Sequence, residues 1–593
     1  MRFEAEPRRG RESRPSARVI ARPLEPTAPA RPPASPGSPL AALRRAWSAP
    51  RSPQAIVLVL AAWLVLCANV ALWKNVLAIE SGPRGLLICL GVSVLLFAVL
   101  SALLALTAWG RAMKPVWLFV LLGAAVSQYF MLDYGAVIDT TMMANVFETN
   151  VNEARDLLTW SFLGNLLLVA GVPALWLVPL PVRRVAPAKA VLRVAILFAA
   201  SLVAAVAATA ALYSVLAPMV RNNMGLRYLP NPIVPVWSTV RVATKPLWNR
   251  PKPLVTITAG AALGPSHAAA RAKPPLLVLV VGETARADHF ALNGYPRDTT
   301  PELAARGVLS FRNVWSCGTN TLASVPCMFS SLGKAGFESS KAEHENLLDV
   351  VQAAGMAVLW LDNQAGCKSV CARVPSASTE DLAGTPAGKR LCTEGECLDE
   401  ALLEGLDARI AALPEAKRAR GVLLVMHQMG SHGPAYGRRS TEAYKRFRPE
   451  CRTTTLGDCV TAELVNVYDN SIAYTDHVLA QTIDWAKAQA GYAPALLYVS
   501  DHGESLGEYG VFLHGVPYPF APDAQKHVAM VAWLGDAAAA RARLDLACLR
   551  GRLDEKLTHD NLYHSVLGLL DVTTPTYDRR LDIWSACKRR DEG

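Results

Sequence analysis

Three side chains able to bind a metal ion stand just after short apolar runs of the sequence. Asp501 and His502 follow the run Ala495–Val499, and Glu283 follows the run Leu276–Val281. The carboxyl ends of parallel strands meet at one edge of a sheet, so we expect these side chains to lie together. Two carboxylates and one imidazole, with one coordination position open, suit a catalytic zinc ion. Each residue taken alone would more simply be a turn or surface residue.

A hydroxyl-rich segment, Ser316 to Cys327, supplies candidate nucleophiles. It follows a short predicted strand around Ser310–Phe311 and precedes an apolar helical stretch. A hydroxyl at a helix N-terminus gains from the helix dipole and free N–H groups, which would stabilise a phosphorylated side chain. Metal coordination would also lower the pKa of the hydroxyl. Ser and Thr are ordinary N-caps as well, which explains one of these hydroxyls without catalysis.

Two histidines and one lysine complete the candidates. His432 and His514 stand in glycine-flanked loops, and Lys368 lies between Cys367 and Cys371. A lone histidine is usually structural or solvated, but two beside candidate ligands favour a role in the site. Lys368 could hold an anionic phosphate or be a solvated lysine.

The elements that must position these residues form an α/β domain over residues 273–593. Short apolar runs alternate there with helical patterns, which indicates a mostly parallel sheet between helices. The predicted strands are Leu276–Val281, Met356–Leu361, Val422–His427, Ala495–Val499 and Val528–Leu534, and the clearest helices are Asn346–Ala354 and Thr461–Lys487.

Five apolar segments, each long enough to cross a bilayer, precede this domain. Buried helices of a soluble protein would look similar singly, but five in succession predict a transmembrane domain over residues 56–216. The segments are roughly Ile56–Leu72, Leu86–Leu106, Val116–Leu132, Phe162–Leu180 and Val191–Leu216.

Basic residues mark the cytoplasmic side. Residues 1–55 hold 11 Arg against 4 Glu without hydrophobic periodicity, which predicts a disordered basic cytoplasmic tail. Arg111 and Lys114 lie in the second connection, and Arg183, Arg184, Lys189 and Arg193 lie in the fourth. By the positive-inside rule these connections are cytoplasmic, and everything after the fifth span is external.

Two external stretches adjoin the predicted membrane surface. The connection from Asp133 to Trp160 contains a polar cluster, Asn145 to Glu153, whose composition alone indicates a solvated loop. Residues 217–272 are rich in Pro, with Arg, Trp and Tyr interleaved. That composition favours a bridge that lies on the external face of the membrane crossed by the five spans.

Cysteine placement supports an external domain. An even set confined to residues 273–593 indicates disulfides in an oxidising compartment, and the absence of repeated C-x-x-C spacing disfavours zinc binding. We predict pairing between neighbours along the chain, including Cys548 with Cys587. The ten cysteines are Cys317, Cys327, Cys367, Cys371, Cys392, Cys397, Cys451, Cys459, Cys548 and Cys587.

Together these motifs resemble the lipid A phosphoethanolamine transferases, a family that includes enzymes conferring polymyxin resistance on Gram-negative bacteria. The motifs are Gly282-Glu-Thr-Ala-Arg286, Asn293-Gly-Tyr-Pro, Ser316-Cys-Gly-Thr-Asn-Thr-Leu-Ala-Ser-Val-Pro-Cys-Met-Phe-Ser330, Gly430-Ser-His-Gly-Pro and Ser500-Asp-His-Gly-Glu-Ser505. The resemblance covers the five spans and residues 273–593. It implies an alkaline-phosphatase/sulfatase-like fold in the periplasm, anchored by a multi-pass domain in the bacterial inner membrane.

The resemblance also assigns roles residue by residue. Thr321 matches the nucleophile, and Thr321, Glu283, Asp501 and His502 match the ligands of one expected zinc ion. His432 and His514 match residues that bind the substrate phosphate or a second zinc ion, one of which protonates the leaving alcohol. The remaining matched residues bind substrate: Lys368 at the phosphate, and Asn145, Thr149 and Glu153 at the lipid headgroup. The segment Asp362–Cys367 departs from the family, because Gln364 and Ala365 replace small polar residues.

The activity implied is transfer of phosphoethanolamine from phosphatidylethanolamine to a phosphate of lipid A, through a phosphothreonine-type intermediate. The expected partners are these lipids and the surrounding inner-membrane lipids, with no nucleic acid, and we expect a monomer. Transfer to a heptose or Kdo of the lipopolysaccharide core is the alternative. A membrane-anchored binding or sensor protein with an inactive site is the non-enzyme alternative.

Two relatives of this fold fit less well. A sulfatase needs Cys-x-Pro/Ala-x-Arg, and neither Cys317 nor Cys327 begins that pattern. A glycerophosphate polymerase of the lipoteichoic acid type shares the threonine and five spans, but the many external cysteines disfavour it.

Overall fold

The structure is a computed structural model that describes residues 49–109, 112–149, 151–183, 185–248, 253–268 and 272–589. Within these ranges, the side chains of residues 151–153 and 245–248 are not described. The predicted basic tail, residues 1–55, therefore lies almost wholly outside the described residues. Residues Arg51–Gly593 form one compact unit.

Apolar helices dominate the first part of this unit. Four of the described helices are long and apolar enough to cross a membrane, and a bent pair, α1 (Pro53–Cys67) and α2 (Val70–Ile79), would make a fifth span. A π-helical turn at Leu167–Gly171 interrupts α6. The helices are α1 (Pro53–Cys67), α2 (Val70–Ile79), α3 (Gly82–Leu106), α4 (Met113–Asp133), α5 (Thr140–Glu148), α6 (Trp160–Leu177), α7 (Pro187–Asn222) and α8 (Ile233–Trp248).

The first span is broken, whereas the sequence predicted one continuous segment, Ile56–Leu72. The two helices meet at a 50° bend. Asn69 stands in the break and donates to the Leu64 carbonyl (2.9 Å), Asn231 donates to the Ala68 carbonyl (2.8 Å), and Gln128 accepts from the Val70 N–H (3.0 Å). A break within a bilayer is tolerated only where protein groups satisfy the freed backbone. These side chains do so.

Contacts at the two ends of the helices agree with the predicted sidedness. The Arg183 N–H donates to the Arg51 carbonyl (2.8 Å), and Lys114 donates to two backbone carbonyls that follow α6 (2.7 and 2.8 Å). The tail end, second connection and fourth connection thus gather on one side. At the opposite end of α4, the Tyr134 hydroxyl donates to the Thr454 carbonyl of the α/β part (3.0 Å).

Helices α5 and α8 lie on that opposite side. They pack against each other, and the Ser238 hydroxyl of α8 donates to the Ile138 carbonyl just before α5 (3.3 Å). The side chains of Trp237 and Val240 on α8 are exposed. Exposed apolar residues on an amphipathic helix suit contact with a membrane surface. The bridge predicted over residues 217–272 stays a prediction, and its first residues belong to α7, which ends at Asn222.

An eight-stranded sheet forms the centre of the α/β part. Its strand order is β8-β2-β7-β6-β1-β5-β3-β4, and β7 alone among them runs antiparallel to its neighbours. All five predicted strands are confirmed with ends within one or two residues. The strands are β1 (Pro275–Gly282), β2 (Leu309–Trp315), β3 (Ala357–Asp362), β4 (Ser376–Ser378), β5 (Val422–His427), β6 (Ala493–Ser500), β7 (His527–Leu534) and β8 (Leu557–Thr558).

Two apolar layers cover this sheet. Residues of β1 alternate between them, because successive side chains of a strand point to opposite faces. The longest helices of the layers are α9 (Thr321–Met328), α10 (Thr461–Ala488) and α11 (Asp560–Leu570); shorter ones are Pro301–Ala305, Gly333–Ser339, Leu347–Ala353, Pro386–Leu391, Leu406–Ala411, Glu415–Arg418, Asp536–Arg541 and Leu546–Arg550. In the sheet register, Gly282 of β1 lies opposite Ser500 of β6, so the residues that follow both strands are neighbours.

Five disulfides join the ten external cysteines in the predicted pairing. Among the described residues the other two cysteines, Cys67 and Cys89, are unpaired and lie in α1 and α3. The pairs are Cys317–Cys327, Cys367–Cys371, Cys392–Cys397, Cys451–Cys459 and Cys548–Cys587.

Candidate active site

The residues that follow β1 and β6 form a closed polar cluster. Glu283, Asp501 and His502 are each completely buried. The His502 Nε2 atom lies 3.3 Å from Glu283 Oε1 and 3.4 Å from Asp501 Oδ2. The juxtaposition expected from the strand ends is therefore present.

The donor atoms of this cluster fit a divalent cation. Glu283 Oε1 and Asp501 Oδ2 are buried and have no hydrogen-bond partner among the described residues. The His502 Nδ1 lies 2.9 Å from the Gly503 carbonyl, so Nδ1 carries the proton and the lone pair of Nε2 faces the carboxylates. Carboxylate oxygens and an imidazole nitrogen are ligands that zinc prefers. Buried anionic oxygens without a cation would be costly.

Burial shifts the titration of all three side chains. Desolvation and the nearby Asp501 carboxylate raise the pKa of Glu283 well above its usual range. Desolvation also raises the pKa of Asp501 to about 6 and lowers the pKa of the His502 imidazole. Burial disfavours the charged form of each group; a bound cation would bring the carboxyl pKa values back down and would keep the His502 imidazole neutral.

Thr321 is the first residue of α9, and its hydroxyl faces this cluster. It donates to Glu283 Oε2 (3.1 Å) and lies 3.4 Å from His502 Nε2. The preceding residue, Asn320, caps the helix by accepting from the Ala323 N–H (2.9 Å). Because Asn320 caps the helix, the Thr321 hydroxyl is not needed for capping and is available to interact with Glu283 and a substrate.

His514 reaches the same cluster from another loop. Its Nδ1 lies 2.8 Å from Glu504 Oε2, and the Tyr436 hydroxyl donates to Glu504 Oε1 (2.7 Å). The carboxylate thus holds the imidazole in one orientation. Ligand atoms of Glu283, His502 and His514 lie within 4.8 Å of one another, so these three could also hold an ion.

His432 lies beside His514, with their ring centroids 5.3 Å apart. Its Nδ1 is buried without a hydrogen-bond partner among the described residues. Burial, and then the neighbouring His514, hold the pKa of His432 well below the usual value. A neutral imidazole is therefore favoured at this position.

Lys368 and Gln364 close another side of the cluster. The Lys368 amine donates to the Ala365 carbonyl (2.7 Å) and lies 4.0 Å from Glu148 of α5. Gln364 donates to Glu283 Oε2 (2.9 Å). The substitution noted in the sequence thus places an amide against a candidate metal ligand, where it helps to orient the carboxylate.

These side chains open into a cavity of about 180 Å³ between the membrane part and the α/β part, here called the reaction cavity. Thr321, His432, His514 and Lys368 line one wall. The opposite wall comes from α4, α5 and their connections; its residues include Asn145 and Thr149. Glu153 lies in the helix Val151–Asp156, but its side chain is outside the described set.

Sequence reasoning missed three residues that orient this site. Glu504 and Gln364 contact predicted site residues, and Glu504 lies in one of the family motifs but had no assigned role. His559 gave no signal, because no motif surrounds it. It is buried; its Nδ1 accepts from the Cys317 N–H (3.0 Å), and its Nε2 lies 3.0 Å from the Ser500 carbonyl. It therefore joins the loop that precedes Thr321 to the end of β6.

Comparisons with protein families and known proteins agree with this architecture. Residues 96–247 match the family model "Phosphoethanolamine transferase EptA/EptB", and residues 275–572 match "Sulfatase". The chain is 39% identical over 560 residues to phosphoethanolamine transferase EptA of Salmonella typhimurium, covering 90% of this chain and 97% of that protein. It is 36% identical over 529 residues to phosphatidylethanolamine transferase Mcr-1 of Escherichia coli, covering 88% and 95%.

A solved structure matches over nearly the whole chain. It is the integral membrane protein lipooligosaccharide phosphoethanolamine transferase A (EptA) from Neisseria meningitidis, with a TM-score of 0.85 and 33% identity, covering 90% of this chain and 99% of that one. The fold is accordingly a helical membrane domain joined to a sulfatase-like α/β domain, which lies in the periplasm.

Proposed function

The chain belongs to the EptA/EptB family of phosphoethanolamine transferases, and from that premise we propose that it transfers phosphoethanolamine from phosphatidylethanolamine to a phosphate of lipid A. One observation carries the proposal: the Thr321 hydroxyl, 3.1 Å from Glu283, opens into a cavity walled by both domains. A nucleophile in such a place meets a lipid headgroup that stands at the membrane surface. The modified lipid A would lower the affinity of polymyxin for the cell surface.

Zinc is the proposed cofactor. Glu283, Asp501, His502 and Thr321 would hold one ion, because they offer two unpaired carboxylate oxygens, an imidazole nitrogen and a hydroxyl in one buried cluster. When bound, zinc supplies a Lewis acid that withdraws charge from phosphate oxygens and lowers the pKa of a hydroxyl.

The first displacement would load the enzyme. The Thr321 Oγ attacks the phosphorus of phosphatidylethanolamine, and its proton leaves along the hydrogen bond to Glu283. The bond from phosphorus to the glycerol oxygen breaks, and diacylglycerol departs after protonation, which we assign to His514 on its Glu504 anchor. Lys368 and His432 bind the phosphate oxygens, and Asn145 and Thr149 contact the headgroup. Phosphoethanolamine remains on Thr321.

The second displacement would release the group. An oxygen of a lipid A phosphate attacks the phosphorus as its proton passes to His514, and the bond to Thr321 breaks as Thr321 Oγ takes back the proton held by Glu283. Both lipids approach from the membrane, so the helical domain supplies proximity. Two displacements at one phosphorus predict ping-pong kinetics.

Mass spectrometry of lipid A from expressing cells tests this proposal. The parent should add one phosphoethanolamine group, Thr321→Ala should add none, and Thr321→Ser, which keeps a hydroxyl, should add a reduced amount. Polymyxin resistance should follow the same order. Addition by Thr321→Ala would exclude Thr321 as the nucleophile. Modification of core heptose or Kdo instead would establish the alternative acceptor, and no modification by any variant would favour a binding or sensor protein.

A further inference from the structure

A second cavity beside the reaction cavity is lined by positive charge. It has a volume of about 430 Å³ and lies behind the His432 loop. Four cationic side chains line it, against two carboxylates, Glu442 and Glu450. We call it the basic cavity. The cationic residues are Arg438, Lys445, Arg448 and Arg452.

The charges of the basic cavity are unequally neutralised, since Arg438 is already paired with Asp156 (2.9 Å) and Glu394 (3.4 Å). Glu442 is shared, since its two oxygens lie 2.7 Å from Lys445 and 3.0 Å from Arg448. Arg452 is exposed and makes no ion pair or hydrogen bond with any described residue. The Arg448 side chain is 58% exposed. Exposed guanidinium groups without a full set of carboxylates can bind an anion, and their planar fork suits phosphate.

The basic cavity adjoins the reactive groups. Pro434 lines both cavities. Tyr436 lines the basic cavity, and its hydroxyl donates to Glu504 (2.7 Å), which in turn holds His514 (2.8 Å). A ligand in the basic cavity would therefore be linked through Tyr436 and Glu504 to His514, the group that we assign to proton transfer.

The basic cavity also borders the membrane domain. Thr454, in its wall, accepts from the Tyr134 hydroxyl at the outer end of α4 (3.0 Å). Arg438 pairs with Asp156 of the external connection (2.9 Å). A lipid standing in the outer leaflet can thus present its headgroup to this cavity without leaving the membrane.

A larger cavity on the other side of the loop that precedes Thr321 has the opposite charge. It measures about 730 Å³, and two cations, Lys368 and Arg373, face four carboxylates there. Arg373 is already paired with Asp349. An excess of carboxylates repels a phosphorylated headgroup, so this cavity is the poorer phosphate site although it is the larger one. The carboxylates are Asp139, Glu338, Glu343 and Glu345.

We propose that the basic cavity binds the acceptor through a phosphate other than the one that reacts. Lipid A carries phosphate at both ends of its sugar backbone, so one phosphate can attack at Thr321 while the other is held by Arg448 and Arg452. This inference rests on the proposed function and adds the acceptor subsite to it. The donor, with one phosphate at the reaction centre, does not need these arginines.

The test separates the two half-reactions of the purified full-length enzyme. Diacylglycerol release from fluorescent phosphatidylethanolamine without acceptor reports the first, and phosphoethanolamine on lipid A at varied concentration reports the second. The variants are Arg448→Glu/Arg452→Glu and, because Arg448 also donates to a backbone carbonyl, the milder Arg452→Ala. Arg580→Glu is the matched control, since that side chain is 88% exposed and lies outside the basic cavity.

We expect the acceptor KM to rise about tenfold in the double variant and about threefold in Arg452→Ala, as weakened charge contacts predict. Donor cleavage and melting temperature should match the parent. With lipid A that lacks one phosphate, the acceptor KM of the parent should be higher than with intact lipid A, whereas the acceptor KM of the double variant should be the same with both. Inorganic phosphate that competes with lipid A in the parent, but not in the double variant, would indicate that the basic cavity binds any phosphate. No competition in either enzyme would indicate that the basic cavity needs the rest of the lipid headgroup.

Three results would overturn the inference while leaving the transferase intact: an unchanged acceptor KM in the double variant, an equal loss of donor cleavage, or the same effect from Arg580→Glu. A parent enzyme that releases diacylglycerol but does not modify lipid A would instead contradict the proposed acceptor, and the inference with it. A parent that releases no diacylglycerol would contradict the donor step.

Discussion

The two walls of the reaction cavity are built in opposite ways. On the periplasmic wall, Glu283, Asp501 and His502 are completely buried and follow strands in the middle of the sheet. On the membrane wall, α5 has no buried residue, and its start is held by Asp139, which accepts from the Met142 N–H (2.8 Å).

This difference separates two tasks. Bond making at phosphorus needs groups fixed by a packed core, because small displacements are costly to the rate. Admission of a lipid is better served by an element with few buried contacts, which can move at low cost. The periplasmic wall should therefore control kcat, and the membrane wall should control KM.

The largest expected effect is on the periplasmic wall. Glu283→Gln should lower kcat by about 10³-fold, as loss of a main electrostatic element does, and should abolish bound zinc measured by plasma mass spectrometry. Chelation of the parent should produce the same loss, and added zinc should restore it. Glu555→Gln, at an exposed surface position, is the matched control. Full activity of a zinc-free Glu283→Gln enzyme would refute the division of tasks.

An intermediate effect is expected one contact away from the cluster. Glu504→Gln weakens the hold on His514 and should lower kcat by about 10–100-fold, the usual cost of removing a residue that orients a functional histidine. Tyr436→Phe removes only the second hydrogen bond of Glu504 and should cost less. Steady-state kinetics with saturating donor measures both. If the two variants were equal, or if Glu504→Gln changed only KM, the proposed anchoring of His514 would be wrong.

A smaller effect is expected on the membrane wall. Asn145→Ala should raise the donor KM by up to about tenfold, the value of one lost contact, with kcat within about twofold of the parent. Thr140→Ala, on the same helix but outside the reaction cavity, is the control. A large fall in kcat with unchanged KM would place Asn145 among the reacting groups and break the comparison.

The smallest effect on activity is expected at His559, whose role is structural. Burial lowers the pKa of His559 to about 4, so between pH 6.5 and 4 the unfolded state binds more protons than the folded one. The free energy of unfolding should consequently fall by up to about 3 kcal/mol as pH drops through this window. His559→Gln should lose that part of the pH dependence and keep activity near neutral pH. Melting temperatures from pH 7 to 4.5 measure it; parallel curves for parent and variant would contradict the assignment.

The sequence alone predicts those site residues that stand at a recognisable position in a local pattern, such as the end of an apolar strand or the start of an apolar helix. β1 and β6 are continuous apolar runs, and their parallel order brings the residues at their carboxyl ends side by side, so the pairing of Glu283 with Asp501 could be predicted. Thr321 and its loop could be located because a hydroxyl-rich segment leads directly into an apolar helix. The disulfides could be predicted by pairing cysteines that are close in the chain.

Other features depend on contacts that no local pattern reveals. The break after α1 is stabilised by Asn231, far along the chain, whose amide donates to the Ala68 carbonyl (2.8 Å), and the hydropathy of the segment gives no sign of it. His559 acts through contacts with residues distant in sequence, Cys317 and Ser500. No motif in α5 or just after it indicates a binding role, and only the family resemblance marked Asn145 in α5 and Thr149 at its C-terminal end.

The shared cavity has a practical consequence for inhibitor discovery. About half of the residues lining it belong to the membrane domain, and the Phe512 N–H, two residues before His514, donates to the Tyr134 carbonyl of that domain (2.9 Å). In a soluble periplasmic fragment this cavity would be an open groove. The loop that carries His514 would also lose the hydrogen bond from Phe512 to Tyr134. Compounds selected on such a fragment would be matched to the wrong shape, so screening against resistance enzymes of this kind calls for the whole chain in a lipid environment.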